Sequence, residues 1–354
     1  MKTLYVNLTN AKNNVTALKK TTGKKVLCVV KSDAYGHGLH VAKVFDENGA
    51  DGFVVTTAEE GVLLRRSGVK KDILITNYVS DKYLKEIVNF DLTLSAIGYD
   101  YIMNFDKSAR KLGVKLKCHI ATDTGMHRFG FSVDDQDLYK FYDVLNCKNL
   151  AITGLYTHFF NSNVKNDEYT FRQIKDFYRI KNAFKDKISL FHASNSFATL
   201  NYPDVNEDAV RCGLSLYGGV ADKNYKSLLI FKTKICSVKK LRKGETLGYG
   251  GKTFDRDIIS AVIPVGYADG FFPRKAYDVT INGKNVPVIA NVCMNHTFLD
   301  VTGVCAETGD EVVLLKTQND LLRLSKAQNT SIYQTMCILG GMNKRFIKYV
   351  NEQP

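Results

Sequence analysis

VLCVVKSDAYGHG, residues 26 to 38, sets an unbroken apolar run against a dense polar cluster. Val26-Leu27-Cys28-Val29-Val30 is apolar on both faces of an extended chain. That pattern predicts a strand of a parallel sheet, covered by helices on both sides. Within the next seven residues come Lys31, Asp33, Tyr35 and His37, threaded with Gly36 and Gly38. A lysine, an acid, a phenol and an imidazole crowded where a buried strand runs out point to a site rather than a plain turn.

Seven further runs of the same kind follow: GFVVT at 52, ILITN at 73, LTLSA at 92, VKLKCHI at 114, ITGLYTH at 152, SLFHAS at 189 and VRCGLSLYG at 210. The segments between them, such as LHVAKVFDENGA and EEGVLLRRSG, space their apolar residues by three and four and often close on glycine, as helices do. Eight strands alternating with helices predict an α/β protein, a (β/α)8 barrel of the TIM type. The alternative is a doubly wound open sheet, but no G-x-G-x-x-G follows the first strand. Past residue 228 the texture turns to strand-like runs punctuated by Gly, Asn and Asp, among them LLIFKTKICSVKKL, YDVTINGKNVPVIANV and DEVVLL. The expected organisation is a barrel over 8–228 and a mostly β domain over 229–354, with residues 1–7 pairing into the latter. Ser331 and Gln334 stand at capping-box spacing before one late helix.

Composition narrows the function classes. The 354 residues are 45% hydrophobic and 24% charged, ordinary for a globular protein. No apolar run approaches the roughly 18 residues of a membrane span, and MKTLYVNLTNAKN has no signal-peptide character. The eight cysteines form no C-x-x-C pair, which argues against a zinc site or disulfide framework and for reduced thiols in a cytoplasmic protein. A net charge of +13 raises nucleic acid as a partner, yet the excess is spread as lysines along predicted helices without an arginine stripe. A solvated surface is the better reading.

In such a barrel, functional groups belong at the C-terminal ends of strands. Lys31 follows the first strand, Arg128 follows the fifth, His158 closes the sixth, HASNS ends the seventh and Arg211 lies in the eighth. Polar groups from five strand ends converge on one mouth. A lysine there is suited to Schiff-base chemistry, because burial lowers an amine's pKa.

These blocks carry a resemblance. VVKSDAYGHG, DTGMHRFGF, HASNS, RCGLSLYG, GETLGYGG, IPVGYADGF, NVCMNHTFLDVT and GDEVVLL occur in the order found in the alanine racemases, and nearly the whole chain is similar to that family. The resemblance implies pyridoxal 5′-phosphate (PLP), held covalently by Lys31. Tyr35, Ser196, the backbone at Gly213 and Leu214, and Tyr333 would bind the phosphate. Arg211 would face the pyridine nitrogen, and His158 would lie beside the ring. A guanidinium does not readily release a proton, so that nitrogen would stay unprotonated. Lys31 and Tyr249 would serve as bases on opposite faces of Cα. An ordinary phenol has a pKa near ~10 and must be tuned for that role. Arg128 would bind the substrate carboxylate and Met294 would line the pocket. Tyr249 and Met294 would come from the second subunit of a homodimer. The implied reaction interconverts L- and D-alanine and supplies D-alanine for peptidoglycan.

The chain departs from the family at three places. Ala121 stands where a lysine or asparagine commonly supports the motif arginine, Asn295 replaces a common aspartate, and Asn291 replaces a frequent arginine. These leave a serine or broad-specificity racemase as the rival. Tyr333 favours a small pocket and alanine. A PLP carrier without catalysis predicts loss of Tyr249 or Arg128, and both are present.

Overall fold

The computed structural model describes residues 2–352, and each of the eight apolar runs forms a strand. The strands pair in the order Ala209–Cys212, Lys25–Val29, Gly52–Val55, Asp72–Ile75, Thr93–Ala96, Leu116–Asp123, Leu150–Tyr156, Leu190–His192. Every one of these pairings is parallel. The two outer strands meet to round off the sheet. The Arg211 N–H donates to Ser194 O at 2.8 Å, and the Phe191 N–H donates to the Asp208 carboxylate at 2.7 Å. The result is the eight-stranded parallel barrel expected from the pattern, with a short extra strand, Phe131–Ser132, beside the end of the fifth.

Alternation along the strands divides their side chains. Leu27, Val54, Leu74 and Ala209, with Val29 and Leu190, pack together as one cluster. Cys28 and Cys212 occupy the intervening positions, opposite one another in register. Both are buried free thiols whose pKa burial pushes up, so they act as small apolar residues rather than nucleophiles.

The chain divides into two compact units. One comprises residues 14–34 and 41–216, the barrel; the other comprises 2–13, 35–40 and 217–352 of the described residues. In the second unit a nine-stranded sheet runs Ser237–Leu241, Ile258–Ile263, Thr297–Asp300, Lys284–Ile289, Asp278–Ile281, Glu311–Leu315, Leu229–Lys234, Thr3–Asn7, Ile347–Val350. The N-terminal strand lies between two late ones, antiparallel to Leu229–Lys234 and parallel to Ile347–Val350. The hairpin Asp278–Ile281/Lys284–Ile289 turns on Asn282-Gly283, with φ of 49° and 75°, the left-handed pair that a two-residue hairpin turn requires.

Two helices close this unit, Gln318–Gln328 and Ile332–Met342. The second carries the expected capping box: Ser331 Oγ accepts from the Gln334 N–H, and Gln334 Oε1 accepts from the Ser331 N–H. The first had no counterpart in the strand-rich reading of this region. It is capped in the same way by Thr317 and Asp320. Among the described residues no helix is long and apolar enough to cross a membrane.

Candidate active site

The first barrel strand ends by reversing the hand of the chain. Val30 still donates to Val54 O at 3.0 Å, as a continuing strand would. Then Ser32, Asp33 and Ala34 all adopt φ of 53–55° with ψ of 50–52°, and Tyr35 follows at φ 56°. Four non-glycine residues in the left-handed region cost roughly 1–2 kcal/mol each. Something must hold them there. The Ala34 N–H donates to Val30 O at 2.9 Å, closing the turn on itself. The Ser32 N–H donates to Glu60 Oε1 at 2.6 Å, while Glu60 Oε2 accepts from the Thr56 N–H at 2.9 Å. Glu60 is thus a structural member of the site that sequence reasoning passed over. Its signal was present as Thr57-x-x-Glu60, the capping box that opens the helix Ala58–Arg66.

Arg211 occupies the barrel interior, 6% exposed. Its guanidinium donates to the carbonyls of His192 (2.6 Å), Thr157 (2.6 Å) and Ala193 (3.2 Å). It also approaches His192 Nδ1 at 2.9 Å and His158 Nδ1 at 3.4 Å, and it lies over the Tyr156 ring at 5.0 Å. Among the described residues no carboxylate pairs with it. Burial pulls its pKa down to about 10, which leaves it cationic at neutral pH.

A permanently donating arginine sets the tautomers of the histidines behind it. His192 Nδ1 must accept, so its proton sits on Nε2 and donates to His119 Nδ1 at 2.9 Å. His119 in turn carries its proton on Nε2. Tyr156 stacks on His192 with ring centroids 5.0 Å apart and 8° between planes, and its hydroxyl meets Ser95 Oγ at 2.5 Å. Gly154 makes room for His119, since a Cβ there would come within 2.7 Å of the ring. Desolvation, then the Arg211 charge, lowers the His119 pKa to about 3 and the His192 pKa well below its ordinary value. His192 opens the HASNS block, but His119 was not singled out and their pairing was not visible in the sequence, because residues 73 apart in the chain bring it about.

The mouth of the same barrel gathers the other expected groups. His158 is pushed down to about 3 by desolvation and by the charges of Arg211, Arg128 and Lys31, in that order, so three cations act on one imidazole. Arg128 is exposed in the loop after the fifth strand and has no ion-pair partner among the described residues. Ala121, seven residues before it, is buried and offers no polar support. At the end of the eighth strand, Ser196 Oγ receives the N–H groups of Gly213 and Ser215 and the Ser215 hydroxyl, each at 3.2 Å. Leu214 lies buried between these donors. Donors converging on one oxygen are the chemistry an oxyanion needs.

The remaining candidates lie in the second unit. Tyr35 and Tyr333 stand with ring centroids 6.1 Å apart, and Tyr35 stacks on Tyr217 at 4.7 Å. Tyr249 and Met294 are 73% and 56% exposed, unusual for large side chains. They are linked through residues 291–294, because Asn291 Nδ2 donates to Tyr249 O at 2.8 Å.

A lysine and two arginines at the C-terminal mouth of a (β/α)8 barrel, joined in one chain to a β unit that presents an exposed tyrosine, define a class of barrel enzyme built to hold an anionic ligand. The alanine racemase N-terminal domain model matches residues 6–221, and the C-terminal domain model matches residues 228–347. The chain belongs to the alanine racemase family. It is 34% identical to alanine racemase 1 of Clostridium acetobutylicum, covering 94% of this chain and 92% of that protein. It is 36% identical to alanine racemase 1 of Caldanaerobacter subterraneus subsp. tengcongensis, over 87% and 84% of the two chains. Among solved structures, an alanine racemase of Clostridium difficile 630 superposes with a TM-score of 0.90 at 26% identity, covering 99% of this chain and 96% of that one. The alanine racemase of E. faecalis gives 0.88 at 26%, covering 99% and 98%.

The neutral imidazoles carry a pH signature. Their folded pKa values lie below the ordinary 6.5, so the stability they contribute is complete above pH 6.5 and is lost as pH falls below it, down toward about 3 for His119 and His158. Each costs about 1.4 kcal/mol per pH unit in that window. Nitrogen-15 NMR should find His119 and His192 neutral and Nε2-protonated from pH 8 down to pH 5. Titration of either near pH 6.5 would contradict the network.

Proposed function

We propose that this protein interconverts L- and D-alanine, using pyridoxal 5′-phosphate bound at the barrel mouth, in a homodimer whose sites are completed across the interface. Alanine racemases are pyridoxal-phosphate enzymes. The observation that carries the reading for this chain is the concentration of cationic groups at the mouth. Lys31, Arg128 and Arg211 all act on His158, and Arg211 is buried among neutral partners only. A ligand bearing a phosphate, presented with an amino-acid carboxylate, is complementary to that charge.

The donor set fits the cofactor. Lys31 would hold it covalently. Ser196, the N–H groups at Gly213 and Leu214, and the phenols of Tyr35 and Tyr333 would take the phosphate. Arg211 would meet the ring nitrogen, with His158 beside the ring. When bound, the cofactor supplies an electron-accepting ring that acidifies the Cα–H of the amino acid. The chain's own residues do the rest. Arg128 holds the substrate carboxylate in a charge-assisted contact. Lys31 Nζ removes or returns the proton on one face of Cα, and Tyr249 Oη does so on the other. By this assignment Lys31 deprotonates D-alanine and Tyr249 deprotonates L-alanine.

An exposed Tyr249 on the β unit is in keeping with delivery to a neighbouring subunit, with Met294 lining the same pocket. One twofold interface then completes two sites. The product would supply D-alanine for peptidoglycan in the cytoplasm. Tyr333 keeps the pocket small and favours alanine over serine. In this reading residues 8–228 supply Lys31 and most of the cofactor contacts, and 229–354 with 1–7 contribute Tyr333 and the opposing base.

Purified protein offered L-alanine and L-serine separately should yield D-alanine at the higher kcat/KM on chiral analysis. Faster formation of D-serine would reassign the substrate. The holoenzyme should absorb near roughly 420 nm in a band that borohydride abolishes. Lys31→Ala should lack that band while keeping its fold, and an unchanged band would remove Lys31 from its role. In deuterated water, Tyr249→Phe should slow loss of the Cα–H from L-alanine by about 10²–10⁴-fold while leaving D-alanine exchange nearly intact. Equal losses from both enantiomers would point to a single base.

A further inference from the structure

The tip that presents Tyr249 is held together by little of its own. Residues 247–252 form a tight hairpin in which Leu247 and Lys252 exchange hydrogen bonds of 2.8 and 3.1 Å, and the Gly251 N–H donates to Gly248 O at 3.2 Å. Three of the four residues inside it are glycines at positive φ: Gly248 at 62°, Gly250 at 83° and Gly251 at 59°. Glycine has the most backbone freedom of any residue, so the glycines themselves do little to fix the direction of Tyr249. A base must nevertheless stand within hydrogen-bond reach of the proton it moves.

Two contacts from the β unit restrain the tip. The Phe298 ring sits beneath Gly248, where a Cβ would come within 2.9 Å of it. The other is Asn291, whose side-chain amide donates to the carbonyl of Tyr249 itself at 2.8 Å. Gly250 lets that amide approach, since a Cβ at this position would stand 3.1 Å from Asn291 Nδ2. Asn291 follows Ala290, at φ 57°, and leads into a firmly tied segment. The carbonyls of Cys293 and Met294 accept from the N–H groups of Tyr267 (3.1 Å) and Ala268 (2.9 Å). The amide therefore fastens the glycine-rich tip to the segment that carries Met294. It grips the backbone of the residue whose side chain has to be aimed.

We propose that Asn291 is a positioning residue for Tyr249: its amide holds the Tyr249 carbonyl, so proton transfer on the Tyr249 face of the substrate depends on it and transfer on the Lys31 face does not. This rests on the reading of Tyr249 as one of the two bases. A single hydrogen bond of this kind shifts the held population roughly 2- to 10-fold, and that sets the size of the effect.

The test uses the holoenzyme and two variants, Asn291→Ala, which removes the amide, and Asn291→Asp, which keeps the size but cannot donate. Hydrogen–deuterium exchange of the peptide spanning 247–252 should quicken by roughly 2- to 10-fold in both variants. Loss of the Cα–H from L-alanine in deuterated water should slow by the same factor. D-Alanine exchange and cofactor affinity should stay within twofold of the parent in this assignment. Unchanged protection of the tip, or equal slowing for the two enantiomers, would overturn the proposal. Tyr249→Phe run alongside separates the two levels. Asymmetric loss in Tyr249→Phe with silent Asn291 variants defeats only the positioning role. Symmetric loss in Tyr249→Phe defeats the assignment of the base and, with it, the catalytic half of this proposal, while tip protection still decides whether Asn291 clamps the loop.

Discussion

Everything at the barrel mouth is arranged around the left-handed turn that follows Lys31. Four residues without a glycine among them adopt φ of 53–56°, a conformation that L side chains resist. The turn persists because Glu60 accepts the Ser32 N–H with one oxygen and the Thr56 N–H with the other, so one carboxylate ties the strained loop to the next βα connection. Strain of this kind collects where a side chain must be aimed rather than merely accommodated. Here the turn follows directly on Lys31, at the end of the first barrel strand.

Electrostatics supplies the second constraint. Burying a guanidinium without a counter-charge is costly, and the barrel offsets this with three carbonyls, two imidazole nitrogens and the face of Tyr156. All of these are neutral. The cation is solvated by dipoles but not cancelled, and its charge still depresses His119, His158 and His192. A carboxylate in place of His192 would neutralise Arg211 and lower the positive charge of the mouth. Retaining neutral imidazoles keeps the mouth positive and its proton inventory fixed near neutral pH.

Much of this was legible in the residues, for identifiable reasons. Strands buried on both faces read as continuous apolar runs, so the eight barrel strands stood out, and their ends marked Lys31, His158 and Arg211. Ser331-x-x-Gln334 marked a helix start, because those residue types match the cap geometry there. Other features left no local trace. KSDAY contains nothing that demands positive φ; the bond from Ala34 N–H to Val30 O and the tertiary grip of Glu60 on Ser32 help hold it. The His119–His192 contact joins strands far apart in the chain, and the helix Gln318–Gln328 was masked by the strand-rich region around it. Tyr249 came from resemblance alone, since an exposed tyrosine among glycines has no distinguishing periodicity.

The central claim is that Lys31 and Tyr249 act together at one site although they are supplied by different subunits. Mixing Lys31→Ala and Tyr249→Phe proteins, each inactive alone, under conditions where native mass spectrometry shows subunit exchange tests it most directly. Random pairing makes half of the dimers hybrids, each with one intact site, so the mixture should recover about a quarter of the parent racemase activity. Complete exchange with no recovered activity would contradict the account.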